Sequence, residues 1–186
     1  MRPINEIIVH CTATSPTWWA KKSLKAQINE VRRWHVEDRA FADIGYHYLI
    51  GRNGDMSEGR PVVNVGAHVK GHNTGTIGIS LFGGAGASAD DKFEDHFTDE
   101  QSGALQALIL HLQKEYGPNL KLAGHNEYAA KGCPGFAVRP WWASVQSDAP
   151  APAKTPKAAP APASGGLGAI IAAIIAAILK LLGAKK

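Results

Sequence analysis

Thr76-Ile-Gly-Ile-Ser-Leu-Phe82, Thr98-Asp-Glu-Gln101 and Leu120-Lys-Leu-Ala123 are the three stretches that decide the fold class. The first alternates apolar and small or polar residues, as a strand does. The second is a capping box, in which the threonine side chain caps one end amide of a helix and the glutamine reaches back to another. Leu105, Leu108, Ile109 and Leu112 continue it as one apolar stripe, and Gly117-Pro118 stops it. The third is a short apolar run after that stop, which reads as another strand.

Working outward, the same alternation recurs. Glu6–Cys11 (EIIVHC) is a β-branched apolar run that suits a buried strand. Ser23 is placed to cap a helix in which Leu24, Ile28, Val31 and Trp34 recur at helical spacing. Tyr46–Ile50 reads as a strand, and Gly51-Arg-Asn-Gly-Asp55 as the hairpin turn after it. Gly83–Asp91 is a loop of Gly, Ala and Asp. Alternating strands and helices predict an α/β domain with a mostly central β-sheet flanked by helices.

Composition changes at Ser147. Residues 1–146 carry 15 Lys/Arg against 15 Asp/Glu, whereas residues 147–186 carry five lysines and one aspartate, so the whole net charge of +4 sits in the last forty residues. A neutral domain with a basic tail points to an anionic surface for the tail rather than to a basic cleft, and gives no sign of nucleic-acid binding. Residues 147–166 are rich in Ala, Pro and Lys, which favours an extended, semi-rigid linker. Residues 167–184 (LGAIIAAIIAAILKLLGA) are almost wholly apolar and precede Lys185-Lys186. Alanines four apart follow the small-xxx-small pattern of packed membrane helices, and about eighteen helical residues extend roughly 27 Å, a bilayer core. Lys180 can snorkel to the surface and the terminal lysines can sit among anionic headgroups. The expected organisation is therefore a folded domain over 1–146, a linker over 147–166 and a membrane-active helix over 167–186. A docked soluble helix or an engineered extension is the alternative for the tail.

The start, Met1-Arg-Pro-Ile-Asn-Glu6, lacks the basic, apolar and small-residue regions of a secretory signal, so synthesis in the cytoplasm is expected. Cys11 and Cys133 are too few for a disulfide framework; one bridge, a free thiol or a metal thiolate all remain open.

Chemistry concentrates at three positions. His10 ends the first strand, His125 follows the strand at Leu120–Ala123, and Cys133 lies in the loop Lys131-Gly-Cys-Pro-Gly135. Ligands at strand ends and in an adjoining loop can converge at one edge of a sheet. Two imidazoles and one thiolate suit zinc, with a fourth position left for water or substrate. Singly, each histidine also suits a structural or surface role, and Cys133 suits a small buried apolar residue.

Val9-His10-Cys-Thr-Ala-Thr14, Gly45-Tyr46-His47-Tyr48-Leu-Ile50, Val65-Gly-Ala-His68, Thr76–Gly83, Gly124-His125, Lys131-Gly-Cys133-Pro and Arg139-Pro-Trp-Trp142, in this order, resemble the type-2 N-acetylmuramoyl-L-alanine amidases. The resemblance covers residues 4–143 and is to the small amidase-type lysozymes of tailed phages in particular, a group that shares its fold with the peptidoglycan recognition proteins. It implies that His10, His125 and Cys133 bind one zinc ion, and that Tyr46 and Lys131 act in catalysis. It implies hydrolysis of the amide between N-acetylmuramic acid and L-alanine in peptidoglycan, by a phage or prophage endolysin that lyses the host. That reaction passes through an oxyanion, which zinc and an ammonium can stabilise, while a tyrosine hydroxyl can orient water or relay a proton.

His68 and Asn73 are expected to line the substrate cleft, with His47 joining them, supporting a metal ligand from behind, or facing the other side of its strand. Cys11, one residue after a ligand, should point away from the metal. The expected partners are peptidoglycan and, through the tail, anionic lipid; the expected state is a monomer acting on the cell wall. The alternatives are a non-catalytic peptidoglycan-binding module and a cytoplasmic amidase that recycles wall fragments.

Overall fold

The computed structural model describes residues 2–147. The expected linker over 147–166 and helix over 167–186 lie, but for Ser147, outside the described residues. Among the described residues no helix is long and apolar enough to cross a membrane.

One five-stranded sheet organises the domain. In chain order the strands are β1 (Glu6–Cys11), β2 (Tyr48–Ile50), β3 (Met56–Glu58), β4 (Thr76–Leu81) and β5 (Lys121–Gly124). Their spatial order is β3-β2-β4-β1-β5. β4 is central; β1 lies between it and the edge strand β5 and pairs in parallel with both, β2 pairs in parallel with β4, and β3 is added antiparallel through the hairpin after Ile50. The register places His10 opposite Ser80 and Val9 opposite Gly124. The carboxyl ends of β1, β4 and β5 thus open at one edge, where ligands collect in such sheets.

The helices α1 (Leu24–Arg33), α2 (Phe93–His96), α3 (Asp99–Tyr116) and α4 (Val138–Ser147) surround the sheet. Ser23 caps α1 at Ala26 N. The Thr98 and Gln101 capping box is present at α3, and Gln101 does more than cap. Fully buried, it also donates through Nε2 to the carbonyls of Ile50 (3.3 Å) and Phe82 (2.9 Å), locking the start of α3 to the ends of β2 and β4. The stripe Leu105, Leu108, Ile109, Leu112 packs with Ile7, Val9, Ile77, Ile79 and Leu81 in one cluster, while Leu110, off the stripe, is 56% exposed. Each such side chain contributes about 1.5–3 kcal/mol by leaving water. The other face of the sheet carries a smaller cluster, Ile28, Val31, Ile44, Leu49 and Phe82.

Three local expectations are corrected. Tyr46 and His47 precede β2 rather than belong to it, because their carbonyls accept from Arg60 N and Gly59 N outside the β2 ladder. β5 begins at Lys121, one residue later than expected. The first helix does not run on as α; after Arg33 it widens into a π-helical turn over Trp34–Asp38.

Candidate metal centre

The strand alternation of β1 divides its last two residues between the faces. Cys11 is buried in the cluster under α3, whereas His10 sits on the opposite face, fully buried. His125 opens a short 3-10 turn (His125–Glu127) directly after β5. Gly124 N bonds back to the Glu127 carboxylate at 2.9 Å, which fixes that turn. Cys133 arrives on the loop before α4. Gly132 lets this loop pass close to Ala87, whose carbonyl any side chain at 132 would strike. Phe136, buried edge-on against Phe93, anchors the far end of the loop.

These elements bring three donor atoms together. His10 Nδ1 lies 3.1 Å from His125 Nδ1 and 3.8 Å from Cys133 Sγ. Atoms of all three residues lie within 4.8 Å of one another, the only such group of metal-ligating side chains among the described residues. The Cys11 backbone N–H donates to Cys133 Sγ at 3.2 Å, a contact that favours a thiolate.

Protonation suits the same purpose. Burial, then the neighbouring His68, His125 and Lys131, hold the His10 imidazole well below its ordinary range. Burial and Lys131 lower His125. Both rings are neutral at pH 7 and carry a free lone pair, as metal ligation requires. The adjacent Cys11 thiol and burial push the Cys133 thiol up, so it keeps its proton until a cation competes for the sulfur.

A hydrogen-bond chain selects the tautomer of His10. Thr76 Oγ1 donates to the His72 carbonyl at 2.9 Å, so its oxygen accepts from His68 Nε2 at 3.2 Å. The His68 ring is held near a pKa of about 3, chiefly by burial, and is neutral. Its Nδ1 is therefore an acceptor, to which His10 Nε2–H donates at 3.0 Å. His10 Nδ1 is left bare and facing His125 and Cys133. This is the outer support that ligating histidines characteristically have.

The two other residues expected in the cleft serve the same support. His47 is fully buried; its Nδ1 accepts from Gly78 N at 2.9 Å, so Nε2 carries the proton and donates to the Asn64 carbonyl at 3.1 Å. Asn73 Oδ1 accepts from His68 N at 2.8 Å and Val69 N at 2.9 Å, fixing the loop that delivers His68. The structure thus places His47 and His68 behind His10 rather than on an open wall.

Tyr46 packs against His10, with ring centroids 5.2 Å apart. Burial, then Cys133 and Cys11, raise its phenol, which stays protonated and can donate. Lys131 is exposed at the rim, two residues before Cys133.

Sequence reasoning passed over two contributors. His35, in the π-helical turn, accepts from Gly45 N through Nδ1 at 3.0 Å and packs edge-on against Tyr46, so it sets the position of that ring. Gly78 interrupts an otherwise bulky central strand because a Cβ there would meet the His68 ring at 2.6 Å. A glycine inside a strand signals close approach of another group, and was the available clue.

Known proteins share this fold and sequence. The family described as N-acetylmuramoyl-L-alanine amidase matches residues 1–136. The endolysin of Escherichia phage T7 is 39% identical over 138 residues, 73% of this chain and 83% of that protein. The N-acetylmuramoyl-L-alanine amidase LysC of Clostridium intestinale superposes with a TM-score of 0.60 at 26% identity, over 78% of this chain and 87% of that one. Bumblebee PGRP-SA superposes with a TM-score of 0.59 at 29% identity, over 73% and 77%.

Proposed function

The chain belongs to the N-acetylmuramoyl-L-alanine amidase family, and from that premise we propose that His10, His125 and Cys133 hold one zinc ion that serves the reaction. The activity is an endolysin's, hydrolysis of the amide between N-acetylmuramic acid and L-alanine in peptidoglycan. The observation that carries the metal assignment is the convergence of two neutral imidazoles and a thiol, from three separate elements, on one point at the sheet edge. The set suits zinc by donor type and leaves coordination open. When bound, such an ion supplies Lewis acidity, drawing charge from the scissile carbonyl and making water more acidic.

The chain's own residues do the rest. His68, backed by Thr76, holds the His10 ring in its ligating tautomer; His47 and Asn73 hold His68 and its loop, so these three residues position rather than touch substrate. Tyr46, protonated, offers a hydrogen bond to the reacting oxygen or to the attacking water. Lys131 at the rim supplies a positive charge where the oxyanion develops.

Metal content measured beside peptide release from purified cell wall tests the assignment. Cys133→Ser should lose both zinc and activity. Tyr46→Phe and Lys131→Ala should keep the metal and slow release about a hundredfold, as loss of one oxyanion donor does. Full zinc and full activity in Cys133→Ser would sink the metal site; wild-type rates in the other two would remove them from the mechanism.

For residues 167–186 the proposal stands on their apolar, lysine-bearing sequence alone: a segment that binds anionic membrane on a Pro/Ala tether. Equal binding to anionic liposomes by the whole chain and by a chain ending at Ser147 would refute it.

A further inference from the structure

The loop between β1 and α1 carries a feature that amide cleavage does not use. The indoles of Trp18 and Trp19 stack at 5.1 Å with planes 8° apart. Trp18 stacks in turn on Phe82, at 5.9 Å and 10°. The three rings form a ladder of nearly parallel planes running from the end of β4 to solvent. Its outermost rung, Trp19, is 40% exposed.

The inner end of the ladder shares its packing with Tyr46. Trp18 and Tyr46 pack against the same small cluster, Ile28, Val31, Ile44, Leu49 and Phe82. The loop itself leaves β1 immediately after His10 and Cys11, and bridges at Thr14 to Gly84.

Trp19 is held there against its own preference. Its φ is 49°, in the left-handed region that glycine enters freely and a bulky L-residue does not. Two bonds hold the conformation. The Trp19 carbonyl accepts from Lys22 N at 2.8 Å and from Nε2 of Gln27, a buried residue of α1, at 3.0 Å. A large apolar ring is thus fixed at the surface on a strained backbone, an arrangement that core packing does not explain and that points to a ligand.

We infer that the outer face of Trp19 is a stacking platform for a sugar ring of the glycan strand, next to the sugar whose amide is cut. The inference rests on peptidoglycan being the substrate. An indole face is flat and electron-rich, and one face of a pyranose ring presents C–H groups with its hydroxyls turned to the edge, so the two stack while the sugar stays hydrated. Exposed Lys21, Lys22 and Lys25 follow Trp19 in the chain and suit the carboxylates of a peptide-bearing strand.

The test uses the full chain and three probes: a β-1,4-linked hexamer of N-acetylglucosamine, purified insoluble peptidoglycan, and a soluble muramoyl-peptide with a single sugar. The hexamer should shift the Trp19 indole N–H resonance, assigned by its loss in Trp19→Phe. Trp19→Ala should weaken binding to insoluble wall about five- to tenfold, the scale of one aromatic contact. Trp19→Phe should recover part of that loss. Turnover of the single-sugar substrate should stay within twofold of wild type in both variants, since that substrate does not reach the platform. An unshifted Trp19 resonance, or unchanged wall binding by a folded Trp19→Ala, overturns the proposal. So does a shift produced by lipid vesicles and not by the hexamer. Hexamer titration needs no turnover, so a chain that bound sugar through Trp19 and cut neither substrate would refute the amidase reading and leave the platform standing.

Discussion

The two faces of the central sheet are made from alternate residues of the same strands and carry opposite chemistry. Under α3 lie Ile7, Val9, Cys11, Ile77, Ile79 and Leu81, a continuous apolar surface matched by the Leu105–Leu112 stripe. On the other face the alternate positions of β1 and β4 are Ile8, His10, Thr76, Gly78 and Ser80. A glycine and two hydroxyl residues, all buried on interior strands, forgo apolar contact there. What this face gains is room for His68 and its link to His10. The comparison teaches that stability and the candidate metal centre are separable: one face holds the fold, and the other accepts weaker packing to hold a set of histidines.

A pair of substitutions tests that separation. Leu105→Ala should cost about 2–5 kcal/mol in urea unfolding, as large-to-small changes in cores do, while each folded chain keeps its metal. Gly78→Ala should do the reverse. Its new methyl displaces the His68 ring, so metal affinity, read by competition with a chelator, should fall about 10- to 100-fold, the usual cost of disturbing a ligand's outer support. The unfolding midpoint should move less than in Leu105→Ala. If Gly78→Ala bound metal normally and unfolded easily, the division between the faces would collapse.

A smaller effect should appear with pH. Burial, helped by nearby arginines, holds His35 and His47 down to about 4, against about 6.5 in an unfolded chain. Between those values the unfolded chain binds protons that the folded one refuses. Stability from these groups is therefore complete above about pH 6.5 and is lost as pH falls toward 4. Urea midpoints at pH 7 and pH 5 check it, and His35→Gln should flatten part of the slope. A midpoint independent of pH would mean that the histidine side contributes no such linkage.

Much of this was legible before any coordinates. β1 was readable because the run Ile7-Ile8-Val9 is too short for a helix and β-branched throughout, and α3 because Thr98 and Gln101 announce its start. The metal residues were readable as a set only through the ordered motifs around them. Less visible were the elements that packing creates. α2 is four residues long and depends on Phe93 and Phe97 meeting Phe136. The π-helical turn at Trp34–Asp38 places His35 beneath Tyr46, a reason that lies eleven residues away. The stacking of Trp18 and Trp19 on Phe82 has no local signal, because Phe82 lies more than sixty residues along the chain.

By itself, then, the sequence determined the alternation of strands and helices, the assignment of Cys11 and His10 to opposite faces, and the residue types able to bind a metal. These follow from periods of 2 and 3.6 residues and from side-chain chemistry, which are local properties. The tertiary structure alone decided which strands are neighbours, that His10 meets a histidine 115 residues away and a cysteine 123 residues away, and that His68 stands behind His10. Those outcomes depend on pairing β1 between β4 and β5 and on the space that Gly78 leaves open. No window of neighbouring residues contains both sides of such contacts, so only the folded chain, by closing the loops between them, fixes the distances on which the chemistry depends.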